Sequence, residues 1–190
     1  MKKHTSITSH QSPTKLWNTH HDQPEKRRII LVELLNSQLV ELIDLGLQAK
    51  QAHWNVKGPY FTMLHTLFDE VAHKLGELTD EVAERAVMLG GTTRGTLHAV
   101  SLESSLPAYP LEALDGREHL WAMSAALAHF ARSSRKAVST AEKSDDSGTV
   151  DLLTQVSRGA DELLWKVEAH IALEPDWSKN ESDSWRVGLG

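Results

Sequence analysis

Two pairs of side chains that can bind metal ions lie within residues 60–89: His65 with Asp69, and Asp80 with Glu84. Each pair has the i,i+4 spacing that places both side chains on one face of a helix, one turn apart. Imidazole and carboxylate ligands together suit Fe(II), Mn(II) or Zn(II). Carboxylates also offset the extra charge of Fe(III), and an iron site with open positions can accept peroxide.

The two pairs are too far apart to share an ion within one helix. Asp69 and Asp80 are separated by three turns, about 16 Å along the axis. His65 and Glu84 are separated by roughly 28 Å. Metal–ligand distances are about 2 Å, so one helix cannot provide all four ligands to one ion.

A two-fold axis between two copies of the helix would bring the two pairs together. The midpoint of Asp69 and Asp80 and the midpoint of His65 and Glu84 are the same, between residues 74 and 75. If two copies of the helix cross antiparallel there, each His65–Asp69 pair faces the Asp80–Glu84 pair of the other copy. Gly76 and Ala72, beside the axis, would let the backbones approach closely. The spacing predicts a dimer with two identical, shared sites.

The helix that carries these pairs follows a second helical stretch. Apolar residues recur every three or four positions from Phe61 to Leu89, and again from about Pro24 to Lys57. Gly58-Pro59 separates the two stretches. His53 and Trp54 lie on the last turns of the first helix, which makes His53 a fifth candidate ligand. Taken alone, His53 would be a hydrogen-bonded structural histidine and Trp54 a packing residue.

The remaining sequence predicts two more long helices. Residues 92–114 contain two prolines and are predicted as a long connection with one short helix, followed by helices over about 115–144 and 150–173. No strand pattern or glycine-rich phosphate loop is found. The predicted fold is all-α, a ferritin-like four-helix bundle with a short extra helix between helices 2 and 3. The predicted boundaries are a mobile basic tail over 1–27, the bundle over 28–174 and a short C-terminal tail over 175–190.

The composition excludes several classes of site and of membrane association. The 190 residues suit one domain and include no cysteine, which excludes disulfides and thiolate ligands. No signal peptide or membrane span is predicted, because acidic residues interrupt the most apolar run, Ile29–Leu47. We therefore expect a cytoplasmic protein.

Charge is distributed unevenly around the net value of −6. Residues 1–28 hold a net +4 and the rest of the chain a net −10. This pattern fits a tail that contacts a polyanion and a body that attracts cations, although a solvated tail that aids solubility is the alternative. The basic residues of the tail that would contact such a polyanion are Lys2, Lys3, Lys15, Lys26, Arg27 and Arg28.

Two other sets of residues resemble metal sites more weakly. The tail histidines His4, His10, His20 and His21, with Asp22, could bind a metal once ordered, or be unrelated to metal binding. Glu70 and His73 form a Glu-x-x-His motif, which diiron carboxylate bundles carry on two helices. Because no second copy occurs in the chain, we interpret Glu70 and His73 as solvated or near-interface residues.

The stretch HWNVKGPYFTMLHTLFDEVAHKLGELTDEVAERAVMLGG resembles the Dps family, the mini-ferritins that protect DNA in starved bacteria. The family's hallmark is a His twelve residues before a second His, then Asp four later, Asp eleven after that and Glu four further on. Here these residues are His53, His65, Asp69, Asp80 and Glu84, with no departure. LPAYPLEALDG and GTVDLLTQVSRGADELLWKVEAHI are also similar, so that the resemblance covers about residues 28–173.

The resemblance implies a hollow homo-dodecamer built from two-fold dimers. Each ferroxidase centre would take His53, His65 and Asp69 from one subunit and Asp80 and Glu84 from the other. Fe(II) would be oxidised there, preferentially by hydrogen peroxide, and stored as ferric mineral, with Zn(II) or Mn(II) as alternative metals. Trp54 would scavenge one-electron oxidants.

The resemblance also bears on iron entry and on DNA. Asp145, Asp146 and Asp151 occupy positions that line a three-fold pore in the family, although Asp145 and Asp146 also suit stabilisation of a helix N-terminus. Twelve basic tails would bind DNA multivalently and with strong salt dependence, in a bacterial cytoplasm and near the nucleoid. The alternative function is a DNA-binding shell without catalysis.

Overall fold

The computed structural model describes residues 14–171, which form five helices. They are α1 (Glu25–Asn55), α2 (Phe61–Met88), α3 (Leu97–Glu103), α4 (Gly116–Lys143) and α5 (Ser147–Glu168). Within residues 14–171 no strand forms, and Lys57 and Asp115 make one isolated β-bridge. The predicted all-α class and the short extra helix, α3, are confirmed.

The four long helices form a bundle. α1 packs along α2, α4 packs along α5, and contacts of α1 with α4 and of α2 with α5 join the two pairs, while α3 lies against α1. The periodic leucines and valines of each helix meet at the centre with Phe68 and Phe130, both fully buried. Because a fully buried large apolar side chain contributes about 1.5–3 kcal/mol, this core holds the helices that carry the candidate ligands.

Glycines with positive φ end the first two helices. Gly58 has φ 105° in the turn between α1 and α2, where Phe61 N donates to Gly58 O. Gly90 has φ 85° just after α2, and its N–H donates to Val87 O. L side chains rarely adopt these conformations. The short first turn places the end of α1 beside the start of α2.

Acidic side chains start the last two long helices. Asp115 accepts from Glu118 N, and the Glu118 carboxylate accepts in return from Asp115 N, which makes a capping box for α4. Asp146 accepts from Thr149 N at the start of α5. These contacts satisfy backbone N–H groups that have no partner within the helix.

α1 begins three residues before the boundary predicted between the tail and the bundle. α1 begins at Glu25, so residues 25–27 belong to the helix, and Trp17 N donates to Gly90 O, 2.7 Å away. The terminal segment therefore donates a backbone hydrogen bond to a carbonyl group at the end of α2, a contact that residue types do not indicate. The mobility predicted for residues 1–13 and the C-terminal tail at 175–190 lie outside the described residues.

Among residues 14–171, no helix is both long enough and apolar enough to cross a bilayer.

A substitution at Gly91 tests how tightly the end of α2 packs against α1. A Cβ at Gly91 would lie 2.4 Å from Val32 Cγ1 and 2.9 Å from Ala86 O. We expect Gly91→Ala to lower the free energy of unfolding by about 1–3 kcal/mol, measured by urea denaturation. In the control Gly46→Ala, on α1, the added Cβ meets no atom within 4 Å, so stability should stay equal or rise by up to about 1 kcal/mol. Equal stability of the two variants would contradict this packing.

Candidate metal centre

His53, near the end of α1, and His65, in the second turn of α2, bind each other's main chain. His53 Nδ1 lies 2.8 Å from His65 O, and His65 Nδ1 lies 2.8 Å from His53 O. The two rings stack with centroids 3.7 Å apart and an interplanar angle of 21°. The short turn at Gly58 makes this reciprocal contact possible.

The reciprocal contact determines which nitrogen is available to a metal. A carbonyl oxygen can only accept a hydrogen bond, so each Nδ1 must donate. In the neutral imidazole the proton is then on Nδ1, and Nε2 keeps its lone pair. Metal-ligating histidines commonly use the second ring nitrogen in this way to hold the tautomer and the ring orientation. Both histidines are therefore prepared to bind a cation through Nε2.

Asp69 lies beside this histidine pair. Its Oδ1 is 4.0 Å from His53 Nδ1, and it accepts a 2.5 Å hydrogen bond from Lys50 Nζ. The Lys50 hydrogen bond lowers the pKa of Asp69 despite an opposing effect of burial, and charge interactions with Lys50 and the two histidines lower it further. Asp69 is therefore a carboxylate at neutral pH, and Lys50 occupies an oxygen that a metal would need.

The other two predicted ligands are remote in the same chain. Asp80 and Glu84 are exposed residues of α2, with Asp80 about 16 Å along the axis from Asp69. Within residues 14–171, no three His, Asp or Glu side chains converge closely enough to hold a metal ion. The structure thus places Asp69 beside the His53–His65 pair, with its oxygen paired to Lys50 rather than directed at a common point with the two rings, and places Asp80 and Glu84 elsewhere on the surface of α2.

Lys50 is a residue of this site that the sequence interpretation missed. It lies three positions before His53 on α1, a spacing that puts both side chains on the same helix face. The spacing is visible in the sequence, but a lysine is not a metal ligand, and its residue type therefore does not indicate a place in the site.

Trp54 and the weaker candidates occupy exposed positions. Trp54, next to His53, is 66% exposed, so it is not a core residue of the single chain. His73 is exposed, and its Nε2 lies 3.8 Å from Glu77. Among the tail histidines, His21 Nδ1 accepts from Gln23 N and lies 3.5 Å from Asp22, while His20 is exposed and His4 and His10 lie outside the described residues.

The three predicted pore residues line one open depression at the start of α5. Asp145, Asp146 and Asp151 contribute to it together with Glu142. Asp145 has φ 55° and accepts from Arg27 at 3.2 Å, and Asp151 is exposed. The acidic surface is thus formed mainly by Asp145, Asp151 and Glu142.

Asp146 has a structural role within this depression. It is 5% exposed, and its Oδ1 accepts from Arg85 Nη2 at 2.7 Å and from Thr149 N at 2.9 Å. Burial alone would raise the pKa of Asp146, but the Thr149 hydrogen bond and the Arg85 guanidinium together lower it. The buried carboxylate is therefore charged and paired, and it caps α5 rather than facing free solvent.

The structure contradicts one of the predicted DNA contacts. Arg28 is buried, and its guanidinium donates to Leu89 O and Gln23 O, because the end of α2 provides carbonyl groups that need donors. Arg27 is paired with Asp145, whereas Lys15 and Lys26 are exposed. Lys2 and Lys3 lie outside the described residues.

Comparison with known proteins agrees with the bundle. A family model for the ferritin-like domain matches residues 32–175, and with the four-helix architecture this defines a ferritin-like protein. The DNA protection during starvation protein of Agrobacterium fabrum is 40% identical over 157 residues, which cover 83% of this chain and 97% of that protein. The chain belongs to the Dps family.

Solved structures support the same assignment. DpsA14 from Streptomyces coelicolor superposes with a TM-score of 0.79 and 31% identity, covering 84% of this chain and 94% of that chain. Dps from Mycobacterium smegmatis superposes with a TM-score of 0.77 and 29% identity, covering 82% and 94%. The predicted family is confirmed.

Lys50 provides a test of the half-site formed by His53, His65 and Asp69. Replacing it in Lys50→Met removes the cation that occupies Asp69, so Co(II) should bind roughly two- to five-fold more tightly, the range expected from an exposed ion pair. The d–d absorption of Co(II) measures this affinity. The control Lys136→Met removes an exposed lysine of α4 and should leave the Co(II) affinity unchanged. A Lys50→Met affinity equal to that of the control would show that Asp69 is not a ligand.

Asp146→Asn tests the structural role of this residue. Asparagine can still cap α5, but it cannot pair with Arg85 as a charge, so we expect a loss of about 1.5–3 kcal/mol at neutral pH. Because folding lowers the pKa of the Asp146 carboxyl below its usual value, this stabilisation is fully present above that usual value and disappears as the pH falls through the folded-state pKa. Urea titrations between neutral and acidic pH should show the two curves converging. The exposed control Asp151→Asn should follow the wild type throughout.

Proposed function

We propose that this protein oxidises Fe(II) at centres shared between two chains and stores the ferric product inside a closed shell. The observation that carries the proposal is the half-site of His53, His65 and Asp69, in which both histidines use Nδ1 on the main chain and, within residues 14–171, no second or third acidic side chain completes a metal site. A second chain that presents Asp80 and Glu84 would complete it. Iron is the substrate of this reaction.

Exposed apolar residues of α2 support the two-fold arrangement. Phe61 is 45% exposed and Met88 is 58% exposed, and the midpoint of these two positions also lies between residues 74 and 75. The axis that brings Asp69 to the partner's Asp80 therefore also brings Phe61 to the partner's Met88. Gly76, beside the axis, has no atom within 4 Å of an added Cβ in the single chain. Burial of these two side chains would favour the dimer.

The ligand chemistry suits iron oxidation. Two imidazoles retain Fe(II), and three carboxylates stabilise Fe(III), whose higher charge favours hard oxygen ligands. Hydrogen peroxide takes two electrons and two protons to give two molecules of water, so two Fe(II) ions reduce it without releasing hydroxyl radical. We propose peroxide as the preferred oxidant. Zn(II) or Mn(II) would compete for the same ligands.

A dodecamer built from such dimers would enclose the mineral. The depression lined by Glu142, Asp145 and Asp151 would attract Fe(II) to an entry pore when three copies meet. The relatives' name, DNA protection during starvation protein, supports a role in protecting DNA, and the bacterial cytoplasm is the location that we propose for it. Binding of DNA would rely on Lys2, Lys3, Lys15 and Lys26, since Arg28 is buried and Arg27 is paired. A shell that protects DNA by binding alone is the second candidate.

Anaerobic loading with Fe(II) separates these candidates. Metal-free protein receives Fe(II), then hydrogen peroxide or air-saturated buffer, and ferric absorbance is followed. We expect rapid oxidation with peroxide and slow oxidation with oxygen. Equal rates of Fe(II) oxidation with peroxide and with oxygen would support the ferroxidase activity but contradict the preference for peroxide. Rates no faster than those of protein-free iron would exclude the enzyme and leave the DNA-binding shell.

Mixing two inactive variants tests whether each centre is shared. His65→Ala removes a ligand of one half-site, and Asp80→Ala removes a ligand of the other, so each homo-oligomer should lose activity at every centre. When the two variants are coexpressed in equal amounts, half of the dimers are mixed and each has one intact centre, so roughly a quarter of the centres should recover. Iron oxidation per chain measures the recovery. A coexpressed sample as inactive as its parents would contradict the shared geometry.

A further inference from the structure

Tyr109 and His119 form a short hydrogen bond inside the protein, away from the candidate ligands. Tyr109 lies in the connection between α3 and α4, and its hydroxyl is 2.5 Å from His119 Nδ1, in the first turn of α4. His119 is 1% exposed, and Tyr109 is half-buried with its side chain packed on the core. The two rings are stacked with centroids 6.0 Å apart.

The hydrogen bond has a defined direction. Burial raises the pKa of Tyr109 and lowers the pKa of His119. At neutral pH the phenol therefore keeps its proton and the imidazole is neutral, so the hydroxyl donates and Nδ1 accepts. His119 Nε2 then carries the ring proton; it makes no hydrogen bond of regular geometry, although the main chain of Asn55 is near enough to raise the pKa of the ring.

This pair is placed against both segments that carry the half-site. The edge of the Phe68 ring faces His119 at 6.2 Å between centroids, and Phe68 immediately precedes Asp69 on α2. On the other side, Asn55 follows His53 by two residues at the end of α1. The buried rings of Phe68 and His119 thus lie between Tyr109 and the part of α2 that carries Asp69, and the end of α1 with His53 is close to His119 through Asn55.

A buried phenol with a neutral imidazole as proton acceptor is suited to one-electron oxidation. Removal of an electron from a phenol makes its proton strongly acidic, and in a dry interior the proton needs a base within hydrogen-bonding distance. His119 Nδ1 provides that base. Tyr60, the second of the two tyrosines in the chain, is 67% exposed and would have to release its proton to solvent.

We infer that Tyr109, with His119 as its proton acceptor, supplies one electron to the iron centre when only one Fe(II) is bound there. This role rests on the proposed ferroxidase function. One Fe(II) gives one electron and peroxide needs two, so the missing electron comes from Tyr109. The balanced step consumes Fe(II), one hydrogen peroxide, two protons from solvent and the Tyr109–His119 pair. It yields Fe(III), two waters, a Tyr109 phenoxyl radical and a protonated His119. Hydroxyl radical is not released.

Pulse radiolysis of the metal-free protein tests the pair without iron. Azide radical oxidises exposed tryptophan, and a suitable tyrosine then receives the oxidation within the protein. In Tyr60→Phe, where Tyr109 is the only tyrosine, we expect the tryptophan radical to decay into a tyrosyl radical. In Tyr109→Phe this transfer should be lost. His119→Gln can still accept the hydrogen bond but cannot take the proton, so it should also lose the transfer. Transfer that persists in Tyr109→Phe, or that is absent from Tyr60→Phe, would overturn the role of the pair.

Iron loading at one Fe(II) per centre tests the electron donation. After one equivalent of peroxide, the wild type and Tyr60→Phe should show a tyrosyl radical by electron paramagnetic resonance and little spin-trapped hydroxyl radical. Tyr109→Phe should lose the tyrosyl signal and release more hydroxyl radical. At two Fe(II) per centre all three proteins should oxidise iron equally, which shows that the variant folds and assembles. Equal hydroxyl radical release by Tyr109→Phe and wild type would refute the donation.

The outcomes also separate this inference from the proposed function. If none of the proteins oxidises Fe(II) faster than buffer, the ferroxidase assignment fails, and with it the donation to iron. The radiolysis result then still decides whether Tyr109 and His119 form a redox pair. If iron is oxidised normally and only the tyrosyl results fail, the ferroxidase stands without Tyr109.

Discussion

The rigidity of an α-helix constrains everything else about the candidate centre. Asp69 and Asp80 are three turns apart on α2, and a regular helix cannot bend to bring them to one ion. A single chain therefore holds three of the five candidate ligands, which lie where α1 meets α2. The acidic pair that could complete the site lies further along the same helix. The proposed iron centre thus requires a second chain, because the candidate ligand set is incomplete in one chain.

The local structure at the end of α1 fixes the orientation of the two histidine rings in the half-site. The left-handed residue Gly58 returns the chain after only a few residues, and the two histidines then hold each other's carbonyl groups. This exchange satisfies main-chain acceptors at the junction of the two helices and holds both imidazoles in the tautomer that binds metal. Lys50 and the two histidines lie around Asp69 and lower the pKa of its carboxyl, so that Asp69 is charged and paired with Lys50 in the single chain.

The acidic residues outside the half-site differ in burial. The buried ones stabilise the fold, and the exposed ones remain accessible to cations. Asp146 and Asp151 are close in sequence and line the same depression. The first is buried under Arg85 and caps a helix, and the second is exposed. The basic residues Arg28 and Lys26 differ in the same way. Arg28 donates to the Leu89 carbonyl at the end of α2, whereas Lys26 is exposed. Charge alone does not distinguish a structural residue from one that is offered to a ligand.

The sequence by itself was sufficient for the helices, the bundle class, the short helix α3, the family and the spacing of the five candidate ligands. These depend on periodicity and on positions along single helices, which are local properties. Only the tertiary structure decided the reciprocal His53–His65 contact, the ion pair of Lys50 with Asp69, the burial of Arg28 and Asp146, and the hydrogen bond of Tyr109 with His119. Each of these contacts joins residues from separate elements, or depends on which residues cover a side chain. Side-chain hydrogen bonds between helices do not follow a regular spacing along the chain, so the sequence pattern does not predict them.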